Sequence, residues 1–222
     1  MRLRFWWAAC LMAVVQAGAQ AQDTGHAGIP DDVYYLMPAF AEGLVFLEGQ
    51  APARGMLNIC ALDHTLRFKD KNGQELSAGD NDAVVRVRID TVVFLRDGGA
   101  FYRLYPVTPE TGVALRRDVR PVMDAKTGAY GTVSQTSSIR QAASIYSDGV
   151  AYNLDRNREY PYDVDETLFL YKGNDVLSLS RKNLRKCFPE RKEEIDAWFK
   201  AGNALPGDLD DALSLISRWA RP

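Results

Sequence analysis

The chain has 222 residues, of which 46% are apolar and 25% are charged, and its formal net charge is −2. This length can bury a substantial core, and the mild acidity gives no global attraction toward nucleic acid or an anionic membrane. Three cysteines and two histidines are too few for a disulfide scaffold or a site of several histidines. We therefore expect no nucleic-acid partner, no metal and no cofactor.

Residues 1–21 are predicted to be a secretory signal peptide. Arg2 and Arg4 form a basic start, the apolar run that follows is too short to span a bilayer, and Ala19 and Ala21 give a small-x-small cleavage site. Loss of both arginines changes the net charge from −2 to −4. A retained N-terminal anchor is the alternative. We expect export to the periplasm or cell surface, with no transmembrane segment in the mature chain.

Residues 22–32 are polar and are predicted to form a flexible lead. An antiparallel β domain is predicted over residues 33–179, because short apolar runs recur between turn signals every 8 to 12 residues. That spacing is typical of a β-meander folded as a roll, sandwich or barrel. The first strands are predicted at 34–37, 43–47, 56–60, 65–68 and 75–76, with a turn at 70–73.

The clearest strands lie between Ala83 and Val107. Val85, Val87 and Ile89 alternate with charged residues, which gives the strand one apolar face. The Asp-Gly-Gly sequence at 97–99 predicts a hairpin, because glycine supplies the positive φ that a tight turn needs. Further strands are predicted at 112–122, 150–154, 167–171 and 176–179.

A polar loop is predicted over residues 124–144, and it holds the candidate ligand-binding residues. Clustered hydroxyls can hydrogen-bond a sugar or a peptide backbone while an aromatic ring stacks on an apolar face. A solvated linker is the alternative, because serine and threonine are common in loops. The candidate residues are Tyr130, Ser134, Thr136, Ser137 and Ser138.

At Ser180 the apolar period changes from 2 to 3.6, and residues 180–222 are predicted to form a cap of about three short helices. Ser180 and Asp208 suit helix N-caps, Pro189 suits the first turn of the second helix, and Gly202 suits its end. Each helix carries an apolar stripe that is most simply buried against the sheet. The predicted fold class is therefore α+β, a mainly antiparallel meander with a C-terminal helical cap.

The mature histidines and cysteines give no clear catalytic pattern. His64 precedes a predicted strand, and we expect it at the surface or at a strand end. One histidine can serve a Ser-His-Asp triad, but the sequence has no Gly-x-Ser-x-Gly elbow. Cys60 and Cys187 are predicted to be free thiols, although export permits a disulfide between them.

Two charged stretches are weaker candidates. Residues 160–166 place carboxylates beside tyrosines without the spacing of a twelve-residue calcium loop. Carboxylates for glycoside hydrolysis need a defined separation in space, which the sequence does not provide. The basic run is predicted to be a solvated helix face rather than a nucleic-acid or lipid surface. It comprises Arg181, Lys182, Arg185, Lys186, Arg191 and Lys192.

Short motifs along nearly all of the mature chain carry a resemblance. They are Phe40-x-x-Gly43-x-Val45, Leu57-Asn58, Phe68-x-Asp70-x-x-Gly73-x-x-Leu76, Val85-x-Val87-x-Ile89, Tyr130-Gly131, Thr136-Ser137-Ser138 and Phe188-Pro189. In these the chain resembles a family of uncharacterised exported β-rich proteins of Gram-negative anaerobes. Ile59 stands where that family tends to carry tyrosine. The resemblance implies export and strands followed by helices, and it implies no activity.

The sequence favours a non-catalytic exported module that binds a glycan, a peptide or a protein partner at the envelope. Two alternatives stay open, namely a hydrolase acting on polysaccharide or peptidoglycan and a structural subunit of an envelope assembly. A deep cleft with shifted carboxylate pKa values would favour the hydrolase. A flat surface with a rigid aromatic patch would favour the binding module.

Overall fold

The computed structural model describes residues 29–78, 82–122, 143–147, 150–154 and 161–220. The strands are β1 (Ala41–Leu47), β2 (Ala53–Ile59), β3 (Leu66–Lys69), β4 (Glu75–Ser77), β5 (Val84–Ile89), β6 (Val92–Asp97), β7 (Ala100–Pro106), β8 (Thr111–Pro121), β9 (Ala143–Ser147), β10 (Val150–Leu154), β11 (Tyr162–Lys172) and β12 (Asp175–Ser178). The helices are α1 (Asp31–Tyr34), α2 (Arg181–Cys187), α3 (Lys192–Lys200) and α4 (Leu209–Ala220), and a 3-10 turn covers Pro189–Arg191.

Ten strands form one antiparallel sheet in the order β12-β11-β8-β7-β6-β5-β1-β2-β3-β4. Strands β9 and β10 pair with each other as a two-stranded sheet. Most neighbours in the large sheet are also neighbours in sequence, which is the pattern of a meander. The predicted α+β class, an antiparallel meander followed by helices, is confirmed.

The predicted turns close two hairpins of the sheet. Asp97 pairs with Ala100, and the two glycines between them have φ values of +53° and +84°. A type I′ hairpin turn requires positive φ at both central positions, and its twist matches the twist of the flanking strands. Between β3 and β4, the Asp70 carboxylate accepts hydrogen bonds from the backbone N–H groups of Asn72 and Gln74, both at 2.8 Å.

The chain divides into two compact units. Unit 1 comprises Met1–Glu42, Gly55–Asn81 and Asp118–Asp165, and unit 2 comprises Gly43–Arg54, Asp82–Arg117 and Glu166–Pro222. The core cluster of unit 1 gathers the N-terminal segment, the connection between β2 and β3, and β8. Its buried members are Ile29, Tyr34, Tyr35, Cys60, Ala61, Leu62 and Val119.

The main core cluster of unit 2 joins the helices to the strands. Val113 of β8 and Leu170 of β11 are fully buried under apolar side chains of α2, α3 and α4. This is the predicted burial of the helical stripes against the sheet. The buried helical members are Leu184, Cys187, Phe188, Ile195, Ala212, Leu215, Ile216 and Trp219.

The helix ends lie where their capping residues predicted them. The Ser180 hydroxyl accepts a hydrogen bond from the N–H of Asn183 at 3.3 Å, and Asp208 accepts one from the N–H of Asp211 at 2.9 Å. These bonds satisfy N–H groups that have no partner inside the helix. Gly202 takes a φ of +82° just after α3.

Several boundaries differ from the prediction. Residues 34–37 were predicted as a strand, but the N–H of Tyr34 donates to the Pro30 carbonyl and closes the turn of α1, and Tyr35 forms an isolated bridge with Cys60. Strand β2 begins at Ala53, three residues before the predicted start at 56. Helix α1 begins at Asp31, inside the predicted flexible lead, because two aspartates in its first turn favour a helix start. Strand β9 begins at Ala143, inside the predicted polar loop. Strand β11 begins at Tyr162, five residues before the predicted start at 167. Its carboxylates pair with arginines of β8, and opposite charges on neighbouring strands support pairing.

Candidate functional site

The candidate loop residues Tyr130, Ser134, Thr136, Ser137 and Ser138 lie outside the described residues. The described part of the chain offers two other polar arrangements. One is a buried cluster around the connection between β2 and β3 in unit 1. The other is an open basic groove formed by α2 and α3 in unit 2.

The connection between β2 and β3 is buried, and its backbone is hydrogen-bonded. The N–H of Cys60 donates to the carbonyl of Thr65 at 2.9 Å, and the N–H of Ala61 donates to Tyr34 at 2.8 Å. The Ala61 carbonyl accepts from the N–H of Val119 on β8 at 3.2 Å. These bonds let a loop lie in the interior without leaving those polar groups unpaired.

His64 lies at the end of this connection, as predicted, but it is buried rather than at the surface. Its Nε2 lies 2.9 Å from Oδ1 of Asp118 on β8, and the two residues are only 7% and 4% exposed. His64 also takes a left-handed φ of +49°. The surface part of the prediction was wrong because the contact joins residues 54 positions apart, which local sequence does not reveal. The pair ties the β2–β3 connection to β8.

Asp63 and Arg67, on either side of His64 in the sequence, form an ion pair in which Arg67 is buried and Asp63 is partly buried. Oδ1 of Asp63 accepts from the N–H and the hydroxyl of Thr65 at 3.0 and 2.6 Å, and Oδ2 accepts from Arg67 Nη2 at 3.1 Å. Burial is the largest single influence on the pKa of Arg67 and acts to lower it, but the Asp63 carboxylate and weaker neighbouring groups together raise it, and the net shift is upward. Arg67 is therefore a permanent interior cation that the carboxylate of Asp63 balances.

The same interior contains a tyrosine–carboxylate bond. The Tyr35 hydroxyl donates to Oε2 of Glu75 at 2.5 Å, and burial raises the pKa of Tyr35. The Tyr35 ring meets Phe40 edge-on at 5.3 Å, and the Lys69 ammonium lies 4.8 Å from the centre of the Phe40 ring. This arrangement connects the N-terminal segment to β3 and β4.

Cys60, four residues before His64, is held as a buried, protonated thiol. Cys60 is fully buried, and burial, together with the Asp63 carboxylate, raises the pKa of its thiol to about 12. Because the thiolate is the reactive form, a thiol with a raised pKa is inert near neutral pH. Cys60 and Cys187 are both free, as predicted, and both are buried.

We expect the Cys60 thiol to react slowly in the folded protein. In a Cys187→Ser variant that begins at Gln22 and so lacks Cys10, a disulfide reagent at pH 8 should label Cys60 about a thousandfold more slowly than in the unfolded chain. The rate should rise about tenfold per pH unit between pH 7 and 9, since only the thiolate reacts. Full labelling of the folded variant within seconds would contradict the burial of Cys60. The unfolded, unreduced mature wild type should take up label at both cysteines.

Two carboxylates of the acidic stretch 160–166 form surface ion pairs. Asp165 lies 3.3 Å from Arg120 in unit 1, and Glu166 lies 3.8 Å from Arg117 in unit 2. Among the described residues, no group of three or more histidine, cysteine, aspartate or glutamate side chains can hold a metal ion. The acidic stretch thus serves the pairing of β11 with β8.

The basic groove lies on the exposed side of α2. It has a volume of about 720 Å³. The apolar side of α2 faces the core, so that its basic residues point to solvent, as predicted. Pro189 starts the 3-10 turn and brings the first residue of α3 back beside α2. The groove is lined by Arg181, Lys182, Arg185, Lys186, Pro189 and Lys192.

One carboxylate contacts the two arginines of the groove. Oδ1 of Asp196 lies 2.9 Å from Nε of Arg181 and 3.5 Å from Nε of Arg185. The hydrogen bond from Arg181 is the main cause that holds the pKa of Asp196 below its usual range. Within the described residues, the exposed lysines Lys182 and Lys186 form no ion pair shorter than 4 Å. The sequence showed these charges but not their arrangement around a groove.

No helix among residues 29–78, 82–122 and 161–220 has the length and apolar character needed to cross a membrane.

Comparisons of the chain with protein-family models, with curated proteins and with solved structures found no match.

Proposed function

We propose that this protein is an exported, non-catalytic module that binds an anionic glycan at the cell envelope through the basic groove of α2 and α3. The observation that carries the proposal is the lining of the groove, in which five of six residues are cationic. Opposite charge at an open concave surface attracts a polyanion and orients it. Export rests on residues 1–21, and the mature N-terminus would fall at Gln22.

The positive charge is a local feature of the groove and not a property of the whole protein. With a formal net charge of −2, the protein has no overall attraction for polyanions. The five cations of the groove are therefore a local excess on an acidic protein. The residues best suited to nucleophilic chemistry in the described chain, Cys60 and His64, are buried and tie the interior of unit 1 together.

Binding to dextran derivatives tests the proposal. Immobilised dextran sulfate, dextran phosphate and carboxymethyl dextran should bind the mature protein, and neutral dextran should not. Affinity should fall as salt rises from 50 to 300 mM, because exposed charges are screened. The triple variant Lys182→Ala, Lys186→Ala, Lys192→Ala should bind at least about tenfold more weakly. Alanine is a good helix former, so we expect the variant to keep its fold.

A matched variant controls for net charge. Arg54→Ala, Lys71→Ala and Arg88→Ala together remove three exposed cations away from the groove. This control should bind the anionic dextrans as the wild type does. Equal losses in both variants, or no binding to any anionic dextran, would overturn the proposal. New reducing ends released from an offered polysaccharide would instead support the hydrolase alternative.

A further inference from the structure

The arginines of the groove are already held by a carboxylate. Arg181 and Arg185 both direct Nε at Oδ1 of Asp196, and the Arg181 guanidinium also lies 5.8 Å from the centre of the Phe199 ring. Guanidinium groups recognise carboxylates through a planar fork of N–H donors. Because Asp196 already contacts the Nε atoms of both guanidinium groups, a carboxylate ligand would compete with the Asp196 carboxylate for these donors.

The lysines remain as the principal contacts for a ligand. Lys182 and Lys186 are one helical turn apart on α2, and Lys192 begins α3 across the groove. A lysine ammonium is a compact point charge without a preferred planar partner. Such a set distinguishes anions by their charge density rather than by their shape.

The charge count favours a ligand with more than one charge per group. Five cations less the single Asp196 carboxylate leave an excess of four positive charges. A phosphate monoester carries a charge of about −1.5 to −2 near pH 7, whereas a carboxylate carries −1. Two or three phosphate groups therefore balance the excess charge of the groove, whereas four carboxylates would be needed to do the same. Glu190 and Glu193 are close in sequence but do not line the groove.

Resting on the proposed function, we propose that the partner of this groove is a glycan that bears phosphate monoester groups. A bilayer that contains phosphatidic acid offers the same phosphate monoester chemistry, but a peripheral helix needs an apolar face to enter it. The apolar residues of α2 and the residue after it, Leu184, Cys187 and Phe188, are buried in the core of unit 2. The large exposed apolar residues lie elsewhere in the described chain; they are Met56, Val122, Val164 and Leu205.

Matched dextran derivatives separate phosphate from carboxylate. Dextran phosphate and carboxymethyl dextran share one backbone and can be prepared with equal total charge. The mature protein should bind dextran phosphate at least about fivefold more tightly, since its charge is concentrated on fewer groups. Lowering the pH from 7.5 to 5.5 removes part of the phosphate charge, whose second pKa is about 6. Binding to dextran phosphate should weaken, whereas binding to carboxymethyl dextran should not.

Equal affinity for the two dextrans at equal charge, with no difference in pH response, would overturn the phosphate inference and leave the proposed function standing. Failure to bind any anionic dextran would overturn both. Vesicles of phosphatidylcholine with about one third phosphatidic acid, whose headgroup is a phosphate monoester, test the lipid source. Binding to these vesicles without binding to dextran phosphate would overturn the glycan in favour of a membrane. The Lys182→Ala, Lys186→Ala, Lys192→Ala variant should lose the preference for phosphate while it melts at the wild-type temperature.

Discussion

Replacing Trp219 by alanine should lower the free energy of unfolding by about 3–5 kcal/mol, which is typical for a buried tryptophan. Trp219 is 2% exposed and belongs to the cluster that joins the helices to Val113 and Leu170. Its ring also meets Trp198 edge-on at 5.9 Å. Removal of the indole takes away apolar burial and leaves a cavity that the surrounding residues fill only in part.

Urea unfolding followed by circular dichroism measures this effect. Trp198→Ala should cost less than Trp219→Ala, because Trp198 is only half-buried at the edge of the cluster. Val164→Ala is the surface control, since Val164 is 39% exposed and its loss should change stability by less than about 0.5 kcal/mol. If Trp219→Ala unfolded at the wild-type urea concentration, the helices would be a detachable tail rather than part of the core of unit 2.

The order of strands and helices could be predicted from local chemistry. Ser180 and Asp208 mark helix starts by their own hydrogen bonds to the backbone, and the paired glycines after Asp97 allow the positive φ that a two-residue hairpin turn needs. Signals of this kind act within a few residues. They can therefore be recognised in the sequence without knowledge of the contacts that distant residues make.

The candidate sites were harder to predict because they depend on distant contacts. The burial of His64 is set by Asp118 on a strand that follows 54 positions later. A surface histidine that follows an aspartate and precedes a strand would show the same local sequence pattern as the buried His64. The sequence showed a run of six basic residues, five of which line the groove. It could not show that Asp196 contacts two arginines and not Lys182 or Lys186. Such differences arise only when two helices pack.

The second large effect is expected at Asp63. Asp63→Ala should destabilise the protein by about 3–5 kcal/mol, because it leaves a buried cation without its partner. Arg67 is 5% exposed, and its Nη2 lies 3.1 Å from Oδ2 of Asp63. The substitution also removes two hydrogen bonds to Thr65. Asp82→Ala is the control, since Asp82 is 97% exposed in its pair with Arg96 and should cost less than about 1 kcal/mol.

A second substitution separates two contributions to the lost stability: the buried Arg67 charge left without its partner and the lost hydrogen bonds to Thr65. In the Asp63→Ala background, Arg67→Met replaces the buried cation by an apolar chain of similar length, and it should recover more than half of the lost stability. The remaining deficit should be about 1–2 kcal/mol, the value of the two bonds to Thr65. A double variant less stable than Asp63→Ala would mean that Arg67 stabilises the interior through other contacts. Recovery would show that the carboxylate of Asp63 is needed chiefly because Arg67 is charged and buried.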